Sequence, residues 1–185
     1  MAKGLASGYA AISCTVTTEE VFNMCHTSAT SAEDTQNYGV DLGFFRDVST
    51  FAGCTSGPAA ALANMQIIEK ENLVDNAAHV GAYMNAQLMR LQDKHEIIGD
   101  VRGMGLFAGL ELVTCRIAKT PVHESEVAAI AADLLEQGVM VGKTNRSFHL
   151  YNNVLLFAPA LIATMHDIDT IVSALDLALA RHAAH

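Results

Sequence analysis

Gly99-Asp100-Val101-Arg102-Gly103-Met104-Gly105-Leu106-Phe107-Ala108-Gly109-Leu110-Glu111-Leu112-Val113 is the stretch that decides the fold, because its glycines admit two incompatible readings. A dinucleotide fingerprint has a similar glycine density, but it follows an apolar strand and opens a helix whose N-terminus receives the pyrophosphate. Here the glycines lead instead into Leu106 to Val113, an apolar run that reads as a strand. The glycines are therefore assigned to close backbone packing at a turn. The sequence contains no Walker A loop and no GxSxG elbow.

Working outward, the C-terminal part alternates strand and helix. The expected order is strand Gly105 to Val113, helix Pro121 to Gln137, strand Val139 to Gly142, strand Val154 to Ala158 and helix Thr164 to about Arg181. Thr120-Pro121 reads as an N-cap and first helical residue, Gly138 as the residue just past a helix end, and Thr164 with Asp167 as a capped start. Upstream, Leu73 to about His95 reads as a long helix with Val74, Ala77, Gly81, Met84, Leu88 and Leu91 on one face. Another helix begins at Ser56 or Gly57 before Pro58, with Ala59, Leu62, Met65 and Ile67 or Ile68 at helical spacing. Residues 9 to 16 read as a short buried strand. Thr17 and Glu20 form a capping box opening a helix to about Cys25, and His26 to Asp47 is a long polar loop. Interleaved strands and helices make this an α/β chain. The expected partition is 1–95 and 96–185, with the boundary at the end of the long helix.

Composition narrows the function classes. The 185 residues carry a formal net charge of -9, with 51% hydrophobic and 17% charged residues, which suits a globular chain. Clustered Lys and Arg for a phosphate backbone are lacking, so no nucleic-acid partner is expected. The charge-free run Val154 to Met165 is too short to span a membrane and contains Pro159. No secretory signal is readable. Cys14, Cys25, Cys54 and Cys115 form no CxxC pair, so reduced, mostly buried thiols in a cytoplasmic protein are expected. The eight histidines show no HxxxH or HExxH spacing, and no metal site is expected.

Ala2-Lys3-Gly4-Leu5-Ala6-Ser7-Gly8-Tyr9 surrounds a lysine with small residues and glycines. A lysine so placed is ordinarily a solvated charge. Yet this setting also suits a tight turn where backbone approaches a ligand and an amine is partly desolvated, which frees it as nucleophile or base. Met1 to Tyr9 resembles the cofactor-lysine segment of class III (ω-) aminotransferases, which are fold-type-I pyridoxal-phosphate enzymes. The similarity continues, in the family's order, through Ser49-Thr50-Phe51-Ala52-Gly53-Cys54-Thr55, Ala59-Ala60-Ala61-Leu62, Ile98 to Leu106 and Phe157-Ala158-Pro159-Ala160-Leu161. The architecture it implies is a partial large domain followed by a small C-terminal α+β domain.

The resemblance implies that Lys3 forms the internal aldimine with pyridoxal 5'-phosphate and later moves a proton during amino transfer. It implies that Thr50 hydrogen-bonds the cofactor phosphate of a neighbouring subunit, hence a homodimer. Many members place a carboxylate-binding arginine where this chain has Leu156. The ω-amino acid:pyruvate subgroup lacks that arginine and uses a mobile one from the preceding loop, for which Arg146 is the candidate. A solvated loop arginine is the alternative. Cys54-Thr55 replaces the family's usual His-Pro. Residues 11–17, Phe45-Arg46-Asp47 and Thr144-Asn145-Arg146-Ser147 are most similar to the branch that uses taurine and pyruvate. The expected substrates are thus a small amino donor and a keto-acid acceptor.

Family members carry a long portion ahead of this lysine, which holds the phosphate turn, the stacking aromatic and the acid that keeps the pyridine nitrogen protonated. The chain is expected to be the C-terminal portion of such an enzyme. The alternative is a catalytically incompetent fragment of that fold, and the isolated chain is expected to be inactive.

Overall fold

The computed structural model describes residues 1–25, 49–146, 148 and 151–182. The expected loop from His26 to Asp47, with its Phe45-Arg46-Asp47 motif, lies outside the described residues, as does Ser147. Contacts divide the chain into two compact units, Met1–Ile68 and Glu69–His185.

The first unit opens with a 3-10 turn over Lys3–Ala6, followed by α1 (Glu19–Met24) and α2 (Ser56–Lys70), the last two residues of which fall in the second unit. The strand expected over 9–16 does not form. These residues make one isolated antiparallel bridge, Ala2 to Ser13, and Tyr9 is 89% exposed. Small β-tolerant residues supply the propensity, but a strand is held by a partner ladder, and the bridge gives only one step of it. Thr18, not Thr17, caps α1, its hydroxyl accepting from the Val21 N–H at 3.4 Å. In α2, Pro58 sits in the first turn, where its missing N–H costs nothing. The inward face is Gly57, Ala61, Asn64 and Ile68, whereas Leu62, Met65 and Ile67 are exposed.

The second unit joins α3 (Leu73–Lys94), β1 (Ile98–Met104), β2 (Phe107–Cys115), β3 (Thr120–Pro121), α4 (Glu124–Glu136), β4 (Gly142–Lys143), β5 (Val154–Phe157) and α5 (Met165–His182). Its sheet is antiparallel in the order β1-β2-β5-β4, with β3 beside β2; Leu110 pairs with Val101 on one side and Leu155 on the other. Helix α3 lies on β1, α4 on β4 and β5, and α5 packs against both helices. Met84, Leu88, Ile98, Leu110, Leu155 and Leu175 are among the fully buried side chains between these layers. The expected inward face of α3 holds at Gly81, Met84, Leu88 and Leu91, but Val74 is exposed.

Residues 98–104 form a strand that the glycines conceal, and the strand expected from Gly105 begins at Phe107 as its hairpin partner. Gly105 occupies the turn between them at φ +55°, and a Cβ added to Gly81 would fall 2.5 Å from Gly105 Cα. Close backbone packing at a turn is what Gly105 provides, while Gly103 allows close backbone approach within the hairpin and Gly99 and Gly109 lie in the strands against the Val113 and Val154 side chains.

Thr120-Pro121 does not cap α4. It pairs with Cys115 and Val113 at the sheet edge, where a proline without N–H is tolerated. His123 caps the helix instead, Nδ1 accepting from the Ser125 N–H at 3.3 Å. Gly138 ends α4 at φ +83°, as its position predicts. Thr164 and Asp167 form the expected reciprocal cap of α5: the Thr164 N–H donates to Asp167 at 2.8 Å and the Asp167 N–H to the Thr164 hydroxyl at 3.3 Å. All four cysteines are free but exposed, against the expectation of burial. Three lie on open stretches of the first unit and Cys115 at the outer end of β2.

Two polar joints hold the end of α3. The Arg116 guanidinium donates to the carbonyls of Gln92, His95 (2.8 Å), Glu96 (3.2 Å) and Ile98 (2.9 Å). Buried His95 meets Asp176 of α5 through Nε2 at 2.6 Å, and Lys94 reaches the other Asp176 oxygen at 2.6 Å. Hydrogen bonds from Lys94 and then His95 hold the Asp176 carboxyl below its ordinary range. A carboxylate depressed in the folded state stabilises it above the unfolded value near ~3.9 and loses that contribution as pH falls through the lower folded value. Thermal melts from pH 7 to 3 should show an acid-side decline that Asp176→Asn flattens. An unchanged decline would remove Asp176 from the acid response.

Candidate active site

Lys3 sits at φ +52°, in the left-handed region that costs a non-glycine residue about 1–2 kcal/mol. Ser7 at φ +49° and Gly8 at φ +78° continue the tight turn. Such strain persists only where surrounding contacts impose it. Here the segment is held from two sides. Cys14 N–H donates to the Met1 carbonyl at 2.8 Å, beside the Ala2–Ser13 bridge. From α2, the Asn64 amide donates to the carbonyls of Gly4 and Leu5, both at 3.1 Å. Ala6 and Ala61 are buried, and Gly57 lets α2 approach the extended segment, since a Cβ there would be 3.3 Å from the Ala11 carbonyl oxygen.

The Lys3 side chain is exposed rather than partly desolvated, so this turn alone does not enclose it. It borders an open depression of about 620 Å³ with Ala2, Gly4, Gly8, Ala10 and Ile12. A Cβ added at Gly4 or Gly8 would meet nothing within 4 Å, so the backbone there is open to solvent.

Thr50 is exposed on the turn that precedes α2, closed by Ala52 N–H to Ser49 (2.9 Å) and Cys54 N–H to Phe51 (3.1 Å). A second depression, about 630 Å³, lies between this turn and Ala11–Ser13. Cys54 Sγ is 3.2 Å from the Ser56 hydroxyl. That hydroxyl, then the N–H groups of Ser56 and Gly57, draw the thiol's pKa down. Lys3 and Thr50 thus share one unit, but Thr50 does not line the depression that Lys3 borders.

Arg146 belongs to the second unit, exposed on the bend after β4. The base of its loop is fixed by Thr144, whose N–H donates to the Val154 carbonyl (3.0 Å) and whose hydroxyl accepts from the Val154 N–H (3.2 Å). Leu156 lies on β5 opposite Gly142 and Gly109. Asn64 has no counterpart among the residues singled out from sequence. Its only signal is a polar side chain on an otherwise small, inward helix face.

The fold is shared with solved transaminases of the pyridoxal-phosphate class. A Bacillus anthracis aminotransferase superposes with a TM-score of 0.87 at 31% identity, covering 98% of this chain and 38% of that one. The family model for class III aminotransferases matches residues 1–179, and the chain belongs to that family. It is 55% identical over 181 residues to the hypotaurine/taurine–pyruvate aminotransferase of Paracoccus denitrificans, covering 98% of this chain and 38% of the relative. It is 53% identical over 179 residues to the taurine–pyruvate aminotransferase of Bilophila wadsworthia, covering 96% and 37%. The chain therefore spans less than two-fifths of the length of these relatives.

Pyridoxal phosphate is the cofactor this family implies, and the residues present fit it. They offer a primary amine on a small-residue turn with open space beside it, and the exposed Thr50 hydroxyl on the turn just ahead of α2. Among the described residues no helix is long and apolar enough to cross a membrane.

Proposed function

We propose that this chain is the cofactor-lysine portion of an enzyme that moves an amino group from taurine or a related ω-amino acid to pyruvate in two half-reactions. The observation that carries the reading is Lys3, held in a left-handed turn by backbone partners on two sides, within a chain of the class III family. Relatives named for taurine and pyruvate support the substrate pair.

In this reading Lys3 Nζ holds pyridoxal phosphate covalently. When not bonded to the cofactor, the Lys3 amine would serve as the base that takes the proton from the donor carbon bearing nitrogen and as the acid that gives it up again. When bound, the cofactor supplies an electron sink for the carbon losing its proton. Thr50 donates its hydroxyl to a phosphate oxygen of the neighbouring copy's cofactor, which makes the working form a homodimer. Thr50 does not line the depression that Lys3 borders, which agrees with service to two separate cofactors. Arg146 presents its planar fork to the donor's sulfonate or carboxylate. In the whole enzyme, residues 1–95 would close the large domain and 96–185 form the small one, with α3 as a connector that packs, within this chain, in the second compact unit. The location would be the cytoplasm.

A second reading, an isolated chain without turnover, is favoured by the solvent-open setting of Lys3. In the full-length protein, taurine and pyruvate should yield alanine, and absence of alanine rejects the first reading. In the same assay Arg146→Ala should raise the KM for taurine by about 10- to 100-fold, the loss of charge-assisted hydrogen bonds, with little effect on an uncharged amine. Equal rises for both donors would remove Arg146 from the substrate site.

A further inference from the structure

We infer that Asn64 is a positioning residue for Lys3, acting through the backbone of Gly4 and Leu5; this rests on the reading of Lys3 as the cofactor lysine. The geometry is specific. A side-chain amide has two N–H hydrogens, and the Asn64 nitrogen lies 3.1 Å from two consecutive carbonyl oxygens that immediately follow the lysine. Those two carbonyls belong to the 3-10 turn that begins at Lys3, where φ is +52°. A left-handed lysine relaxes to ordinary backbone unless its neighbours prevent it, and relaxation swings the Cα–Cβ bond and with it the amine.

The placement of the amide on α2 matters as much as its donors. α2 is a 15-residue helix whose inward positions carry Gly57 and Ala61, so its axis lies close to the lysine segment, and Asn64 is half-buried on the same face. The rigid helix thus fixes the turn by a short side chain with few rotatable bonds. An amine held in its attacking orientation reacts faster than one that must find it, and a displacement of about 1 Å costs on the order of 100-fold. Among the described residues, the other hydrogen bonds made by the turn itself, Leu5 N–H to Ala2 (3.2 Å), Ser7 N–H to Gly4 (3.1 Å) and Tyr9 N–H to Ala6 (3.0 Å), are local and move with it. The Cys14–Met1 bond (2.8 Å) and the Ala2–Ser13 bridge anchor only the residues ahead of Lys3, so Asn64 is the hold on the residues that follow it.

The test uses the full-length protein stripped of cofactor, mixed with pyridoxal phosphate and quenched with borohydride at increasing times, with the adduct mapped by peptide mass. Two variants are compared. Asn64→Ala removes the donors and favours helix, so α2 is retained. Asn64→Asp keeps size and shape but presents acceptor oxygens to the two carbonyls. Both should slow labelling of Lys3 by about tenfold or more and shift the pH midpoint of the adduct's absorbance, with cofactor-free thermal midpoints close to the parent's. Labelling at the parental rate in both variants overturns the inference. So does Asn64→Asp behaving as the parent while Asn64→Ala is slow, because volume rather than donation would then matter. A slowing that only tracks the fraction unfolded also overturns it. An unsubstituted protein unlabelled at Lys3 instead defeats the reading on which the inference rests, and the two failures are thereby distinct.

Discussion

Lys3→Ala in the full-length protein is expected, on the proposed role of Lys3, to lower amino transfer by roughly 10⁴-fold or more, while the thermal midpoint without cofactor stays unchanged or rises. The two effects separate because Lys3 contributes little to packing. Its side chain is exposed, and its backbone is held at φ +52°, so no core contact is lost on truncation. Lys3→Gly sharpens the test. Glycine relieves a left-handed strain of about 1–2 kcal/mol against an unfolded-state entropy cost of about 0.5–1 kcal/mol, leaving a small net gain in stability with no activity. Lys3→Arg is equally inactive, because a guanidinium stays protonated and serves neither as nucleophile nor as base. Turnover surviving any of these changes would place the reactive amine elsewhere. Concurrent unfolding would show that the segment has a packing role its exposure does not reveal.

Gly81→Ala gives the largest loss of stability from a single added methyl. The new Cβ would fall 2.5 Å from Gly105 Cα and closer still to its carbonyl, against backbone rather than a side-chain tip that can swing aside. Gly105 cannot retreat easily, since it turns the β1–β2 hairpin at φ +55° and Leu106 beside it is 5% exposed. Overpacking of this kind costs about 3 kcal/mol, and the helix preference of alanine returns about 1 kcal/mol. The net of about 2 kcal/mol corresponds to a fall of roughly 4–8 °C in the midpoint. A melt at the parental temperature would mean that α3 stands farther from the hairpin than the structure places it.

The same glycines show where the sequence can and cannot be read. Helix α3 is legible because Met84, Leu88 and Leu91 recur at helical spacing and all three are buried. Strand β1 is not, since Gly99, Asp100, Arg102 and Gly103 break the apolar alternation that announces a strand, and its order comes from pairing with β2. Thr120-Pro121 carries the local marks of a helix start. The edge of β2 captures it first, a tertiary contact that no local pattern encodes. Residues 9–16 err the other way, with strand-like composition but only the single bridge to Ala2. At the candidate site, the small-residue setting and the family resemblance single out Lys3. Asn64 escapes because its partners are main-chain carbonyls, which every residue possesses and no sequence marks. The separation of Lys3 and Arg146 into two units is likewise a property of contacts, not of spacing.

The guanidinium of Arg116 gathers the carbonyls of residues 92, 95, 96 and 98. Main-chain oxygens are the same whatever side chain they carry, so as far as this joint is concerned those four positions are free to drift among homologues. The whole constraint falls on one codon. A lysine there offers a single compact ammonium in place of a five-donor fork and cannot span the same set of acceptors. A change that looks conservative on paper would therefore unfasten the far end of the longest helix, whereas bolder changes at the residues it binds would leave the fastening intact.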